Sequence, residues 1–292
     1  MKKALAIDFY RVVMPEEADC RFGEILERVS KLPADDKRNV VRFGYPLRLQ
    51  DASLHGITWE GEFVRIRMDD LPVKASLAGE LASLELDADE GIGEETAFLY
   101  DLDTEVLALQ RNRTGASASA VCFYFERKGE FSGLHLDPVL MSDVLQRLAK
   151  LATTRRFEIG IAAPESLEVF RGQGKGVDAL VNLAREFETP SAYVTLTMGH
   201  TKGSIPRAKE YAKKLLSVSS KSEGAVRKLR ISGYGEGADE MEVLDLLEFR
   251  MKEEVVVNPG TDRRLSRSAR QDALRRAFDK RASELRRMFR KP

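Results

Sequence analysis

Two stretches carry side chains of the kind that handle phosphate or metal. Gly199-His200-Thr201-Lys202-Gly203-Ser204 lies between an apolar strand-like run and a helix that Pro206 would open, since proline fits the first helical turn. Backbone N–H groups at such an entrance can hold an anion. Lys202 and Arg207 would add charge, His200 an acid–base group and Ser204 a hydroxyl. An ordinary strand-to-helix connection accounts for the same residues. Arg171-Gly172-Gln173-Gly174-Lys175-Gly176 is the densest glycine loop, but it lacks the four-residue gap and the Ser/Thr of a P-loop. Asp69-Asp70 and Asp101/Asp103 are carboxylate pairs that turn chemistry explains at least as well as metal binding. His55 and His135 have no Cys or carboxylate at metal-ligand spacing. Cys20 and Cys122 stand far apart and read as reduced thiols. Neither a metal nor a cofactor is expected.

The stronger signal is electrostatic. Between Arg263 and Pro292 stand twelve Lys or Arg residues against three acids, a net +9 in a chain of zero total charge, so the other 262 residues carry −9. Within this stretch Leu274, Ala277, Phe278, Ala282, Leu285, Met288 and Phe289 recur every three or four residues, which predicts a helix with one apolar stripe. Ser268 and Gln271 have capping-box spacing. Arg276, Lys280, Ser283, Arg287 and Lys291 follow along another face, read as an acid-free cationic rail. The expectation is a docked helix. Arg276, Lys280, Arg287 and Lys291 would face backbone phosphate, with Arg263, Arg264, Arg267 and Arg270 assisting. The rival is that the same cations pair with the acidic body or favour the helix dipole.

The rest of the chain must position that helix. Ala4–Met14 reads as a strand, and Phe22 to Leu32 as a helix closed by Pro33. Stretches around 40–43, 47–50 and 57–68 are β-rich, with a bulge expected near Phe63–Met68. Thr96–Tyr100 and Glu105–Gln110 form a hairpin around Asp101–Thr104. Gly115–Phe125 fits helix or strand, and so does Glu242–Phe249. From Met141 onward helices and strands alternate, which indicates an α/β unit. The reading is an α+β fold with a β-rich half (1–130), an α/β half (131–262) and a basic C-terminal helix (263–292) docked on the body.

Order and flavour, more than any motif, carry a resemblance. The hairpin ending Val106-Leu107-Ala108-Leu109-Gln110-Arg111-Asn112, the α/β half leading through Val243 to Met251, and the Arg-rich terminal helix together resemble the RexA and KwaB group of anti-phage proteins. That resemblance implies a dimeric, non-enzymatic protein that binds DNA with little sequence preference. It transfers no site residue. His200 and Lys202 match the His-x-Lys core of the phospholipase D superfamily, but the Asp and the second motif are missing.

Three functions follow as expectations. The first is sequence-independent binding of nucleic acid, duplex DNA favoured, by a homodimer in an anti-phage system. The second is a nuclease or phosphodiesterase using His200 or the Asp pairs, and the third a protein-interaction module. No stretch approaches the roughly 20 apolar residues that cross a bilayer, so a cytoplasmic protein without a membrane partner is expected.

Overall fold

The computed structural model describes residues 2–33, 35–162, 174–189, 191–221, 225–260 and 264–290. It is an α+β fold with extensive antiparallel sheet and a C-terminal helix. In chain order the elements are β1 (Lys3–Val13), α1 (Phe22–Ser30), a 3-10 turn (Asp36–Arg38), β2 (Asn39–Arg42), β3 (Tyr45–His55), β4 (Thr58–Arg67), β5 (Lys74–Ala75), β6 (Leu81–Ala82), β7 (Ile92–Asp101), β8 (Val106–Gln110) and α2 (Ala118–Gly129). They continue with β9 (His135–Pro138), α3 (Ser142–Lys150), β10 (Leu151–Ala162), α4 (Lys175–Glu186), β11 (Ser191–Thr197), α5 (Ala208–Lys221), β12 (Val226–Gly235), β13 (Glu242–Asp245), β14 (Lys252–Val257) and α6 (Arg267–Phe289).

The large sheet runs β14-β1-β8-β7-β4-β3-β2, and β9 continues the β14 side of β1 from Tyr10 to Val13. Its central strands are buried on both faces. In β7 and β8, Phe98, Tyr100, Leu107 and Leu109 face a core shared with Phe22, Ile25 and Leu26 of α1 and Val121, Tyr124 and Phe125 of α2. The alternate residues Ala97, Leu99, Val106 and Ala108 face Leu274, Ala277, Phe278 and Leu285 of α6, along with Leu5, Ile7 and Phe9 of β1. A strand covered on both sides reads as an unbroken apolar run, as these do. Gly61 of β4 lets Phe98 pack closely: a Cβ there would fall 2.4 Å from its ring.

The second sheet has the order β11-β10-β12-β13, and all its pairs are antiparallel. Helices α3, α4 and α5 cover one face through Val144, Leu148, Val181, Ala184, Ala212 and Leu215. The other face is polar. Glu158 lies between Arg156 at 2.6 Å and Lys228, and Arg230 reaches Asp245 at 2.6 Å. Met141 touches this core and the α6 core, so the units join there.

Several expectations change. Gly115–Phe125 resolves as a helix, capped by Ser117 accepting from the Ala120 N–H. Glu242–Phe249 is a short strand and a turn, because Leu244 pairs opposite Ile231 and is fully buried. The bulge lies in β3 between Leu49 and Asp51, not in β4. A cut at residue 130 would strip β9, β14 and α6 from the first sheet. The alternation after Met141 builds an antiparallel sheet, because β10 runs antiparallel to both β11 and β12, its two neighbours.

Candidate nucleic-acid interface

The terminal helix forms where its apolar stripe predicts, but its start differs. Ser266 is the N-cap and accepts from the Ala269 N–H at 3.2 Å. Ser268 only meets the Ser266 hydroxyl, and Gln271, instead of closing a capping box, is buried and donates through Nε2 to the Gly61 carbonyl at 2.8 Å. Along the stripe, Leu274, Ala277, Phe278 and Leu285 are buried, while Ala282, Met288 and Phe289 pack at the margin.

Beside that stripe the basic residues meet a row of carboxylates on the same sheet face. Arg270 is 4 % exposed and donates to Glu62, itself 4 % exposed, and to Glu95 at 2.9 Å. Arg264 also donates to Glu95, and Arg267 to Asp51. Arg275 reaches both oxygens of Glu60 at 3.0 and 2.9 Å. Lys280 at 2.5 Å and Arg281 at 2.6 Å share the buried Glu253, and Arg281 also reaches Glu284 at 3.2 Å. Glu284 in turn accepts from the Ser142 N–H at 2.9 Å, tying the helix to the start of α3.

The titration directions follow from this wiring. Burial, helped by the neighbouring Glu95 charge, pushes the Glu62 carboxyl above its usual range against the pull of Arg270 and Arg267. Burial also raises Glu95, but the hydrogen bonds and charges of Arg264 and Arg270 outweigh it and hold that carboxyl below its usual range. Glu284 behaves as Glu95 does, with Ser142 and Arg281 overcoming the cost of burial.

Of the sequence-derived phosphate contacts, Arg263 and Lys291 lie outside the described residues. Arg264 and Arg267 are tied to the body, and Arg270 is sealed beneath the helix, so it cannot reach an outside phosphate. The rail is also not free of acids. Arg276 pairs with Asp272 one turn earlier at 3.0 Å, and Asp279 is exposed. Arg287 is exposed, with a contact to the Ser142 hydroxyl at 3.4 Å. The exposed cations that make no ion pair among the described residues gather in the last turns: Arg286, Arg287 and Arg290. Sequence reasoning missed the receiving acids. Glu60 and Glu62 alternate with Trp59 and Phe63 in β4, which marks one polar face and gives no sign that a helix some 200 residues later covers it.

The Gly199–Ser204 loop is held by other means than an anion. Arg155 donates to the carbonyls of Thr201 at 2.7 Å, Gly203 at 3.0 Å and Gly199 at 2.9 Å. The Ser204 hydroxyl accepts from the Thr154 N–H at 2.8 Å, and Arg207 pairs with Glu210 at 3.1 Å. Helix α5 begins at Ala208, two residues past Pro206. With carbonyls turned inward and Ser204 and Arg207 engaged, His200 and Lys202 remain as exposed side chains on a connection. Of the glycine loop, Arg171–Gln173 fall outside the described residues. Asp101 is a turn residue, accepting from the Thr104 N–H at 2.8 Å and hydroxyl at 2.7 Å. His55 meets the Ser53 hydroxyl at 3.0 Å, and His135 the Gly133 carbonyl at 2.9 Å. Among the described residues no three His, Cys, Asp or Glu side chains come together as a metal would need. No described helix is long and apolar enough to cross a membrane.

A family model described as a family of unknown function, DUF6731, matches residues 1–288, from the first strand through nearly all of the terminal helix. The chain belongs to the DUF6731 family. The match takes in both sheets and the ion-paired seam between α6 and the large sheet, so the family is defined over the whole fold. No curated protein matches the chain.

Proposed function

We propose that this DUF6731 protein is a non-enzymatic nucleic-acid-binding protein that contacts duplex DNA through the outward face of α6. One observation carries the reading. Arg286, Arg287 and Arg290 stay exposed without an ion pair among the described residues, although acids of the body take up most of the other cations on the helix. Arg276 extends the row. Its partner Asp272 is 56 % exposed, and a surface pair of this spacing is worth only about 0.3–0.5 kcal/mol, so phosphate can displace it. From Arg276 to Arg290 the helix rises about 21 Å, within which duplex DNA carries several phosphates. Contacts of this kind position a protein on DNA and read no sequence. The homodimer and the anti-phage role belong to the same proposal and rest on the resemblance, while the cytoplasmic setting rests on the lack of an apolar stretch of membrane-spanning length in the sequence.

A gel-shift series on two unrelated duplexes, between about 50 and 200 mM salt, tests it. Binding should weaken steeply with salt and differ little between the duplexes. Charge reversal of Arg286, Arg287 and Arg290 together should flatten the slope of log K against log salt by about 2–3, at roughly 0.9 for each phosphate no longer neutralised. An unchanged slope, or no binding at low salt, overturns the proposal.

A further inference from the structure

Strands β2 and β3 are joined by two residues, Phe43 and Gly44, between the paired Arg42 and Tyr45. Both have positive φ, 49° and 83°, the pattern of a type I′ hairpin turn. Glycine adopts that conformation freely, and asparagine is the usual residue at the first position. A phenylalanine there is an outlier, because its Cβ crowds the following carbonyl. Nor does burial compensate the strain: Phe43 is 83 % exposed. Beyond a contact with the neighbouring Arg42 guanidinium the fold gains nothing evident from this ring, and strain of this sort at an exposed position points to a partner.

The surroundings indicate which partner. The Arg42 guanidinium lies 4.9 Å from the Phe43 ring centre and 5.6 Å from that of Phe123 in α2, and donates to the Ser119 hydroxyl at 3.2 Å. Arg127 lies 5.2 Å from the same Phe123 ring. Arg65 stacks 3.7 Å over Tyr45 and donates to the Thr114 carbonyl at 3.2 Å. Among the described residues none of Arg42, Arg65 and Arg127 has an ion-pair partner. On α6, by contrast, arginines facing the sheet find carboxylates. Aromatic faces interleaved with arginines that have no carboxylate partner match what single-stranded nucleic acid presents: flat bases to stack and phosphates to pair. A purely apolar partner would leave the three cations uncompensated.

We propose that the β2–β3 hairpin is a binding site for single-stranded nucleic acid, with Phe43 stacking on a base and Arg42, Arg65 and Arg127 facing the backbone. The site is separate from α6 and stands whether or not that helix binds duplex. Fluorescence anisotropy with labelled oligo-dT and oligo-U, on the full chain, tests it. Phe43→Asn creates the favoured Asn-Gly turn, so it should keep or raise the melting temperature while weakening single-strand binding roughly 5- to 160-fold, the range for loss of one base stack. Phe43→Trp should restore binding. Arg65→Ala with Arg127→Ala should flatten the salt slope by about 0.7 for each phosphate no longer neutralised. Duplex binding by Phe43→Asn should stay unchanged, and single-strand binding should survive reversal of Arg286, Arg287 and Arg290. The dT and U arms show which sugar is preferred. Unchanged single-strand affinity in Phe43→Asn overturns the proposal, as does no binding by the native chain. A loss of oligomeric mass in that variant, with affinity intact, would make the hairpin a contact between copies and overturn it too.

Discussion

Replacing Arg270 by Met should cost far more than removing a surface charge. Arg270 is 4 % exposed, and its guanidinium bridges Glu62 and Glu95 beneath α6. Methionine fills much of the space but leaves the Glu62 carboxylate buried, with only the more distant Arg267 charge to favour it. Breaking a buried pair from one side costs about 3–5 kcal/mol. At about 2–4 °C per kcal/mol, that lowers Tm by roughly 6–20 °C. The loss should depend on pH. Burial already holds the Glu62 carboxyl above its ordinary value of 4.5, and removing Arg270 raises it further. A carboxyl whose folded pKa is raised favours the fold when protonated. That contribution is full below the unfolded value and is lost as pH rises through the folded one. Arg270→Met should therefore be least destabilised near the unfolded Glu range and most destabilised at alkaline pH. Arg270→Met with Glu62→Leu removes both buried charges and should recover at least half of the loss, since an apolar pair can replace a buried ion pair with little cost. Urea denaturation of the native chain, the single variants and the double variant, at acid and alkaline pH, supplies the cycle. A single-variant loss below about 1 kcal/mol, an absence of pH dependence, or a double variant no better than the single would refute the ion-pair account.

Other outcomes follow from the same seam. Ser266→Ala should lose about 0.5–2 kcal/mol as the N-cap goes, whereas Ser268→Ala should stay within about 0.5 kcal/mol; equal losses in urea melts would put the cap elsewhere. Phe278→Ala should cost about 3–5 kcal/mol, because its ring lies against Phe9 with centroids 6.4 Å apart in a buried layer. A chain ending at Gly260 should bind a hydrophobic dye and aggregate, since Leu5, Ile7, Phe9 and Leu99 lose their cover; a monomeric, cooperatively melting product would show that α6 is dispensable. Arg155→Ala should open the 199–203 loop to limited proteolysis, while His200→Ala should leave the cleavage pattern and Tm unchanged.

The elements that the sequence predicted well are those whose information is local. The apolar stripe of Leu274, Ala277, Phe278 and Leu285 fixes a docked helix because helical spacing alone puts these side chains on one face. The hairpin around Asp101 was legible because Asp101 satisfies the turn with its own neighbour Thr104. Ambiguity arose where two geometries share a pattern: Val243, Leu244 and Leu247 suit a helix face, and only pairing with β12 selects the strand.

What Arg270 or Arg267 touches is another kind of question. Charge composition predicted that the +9 tail had two candidate partners, an outside phosphate or the chain's own acids. It could not choose, because Glu62 and Asp51 lie more than 200 residues from the arginines they meet. The choice was made when β14 and β9 joined β1 and α6 crossed the sheet face opposite α1 and α2. Burial there turned alternating strand carboxylates from solvated groups into sites that demand a cation. The sequence alone determined that a basic amphipathic helix must pack. The tertiary structure decided which of its charges are spent inside and which, at Arg286, Arg287 and Arg290, still face outward.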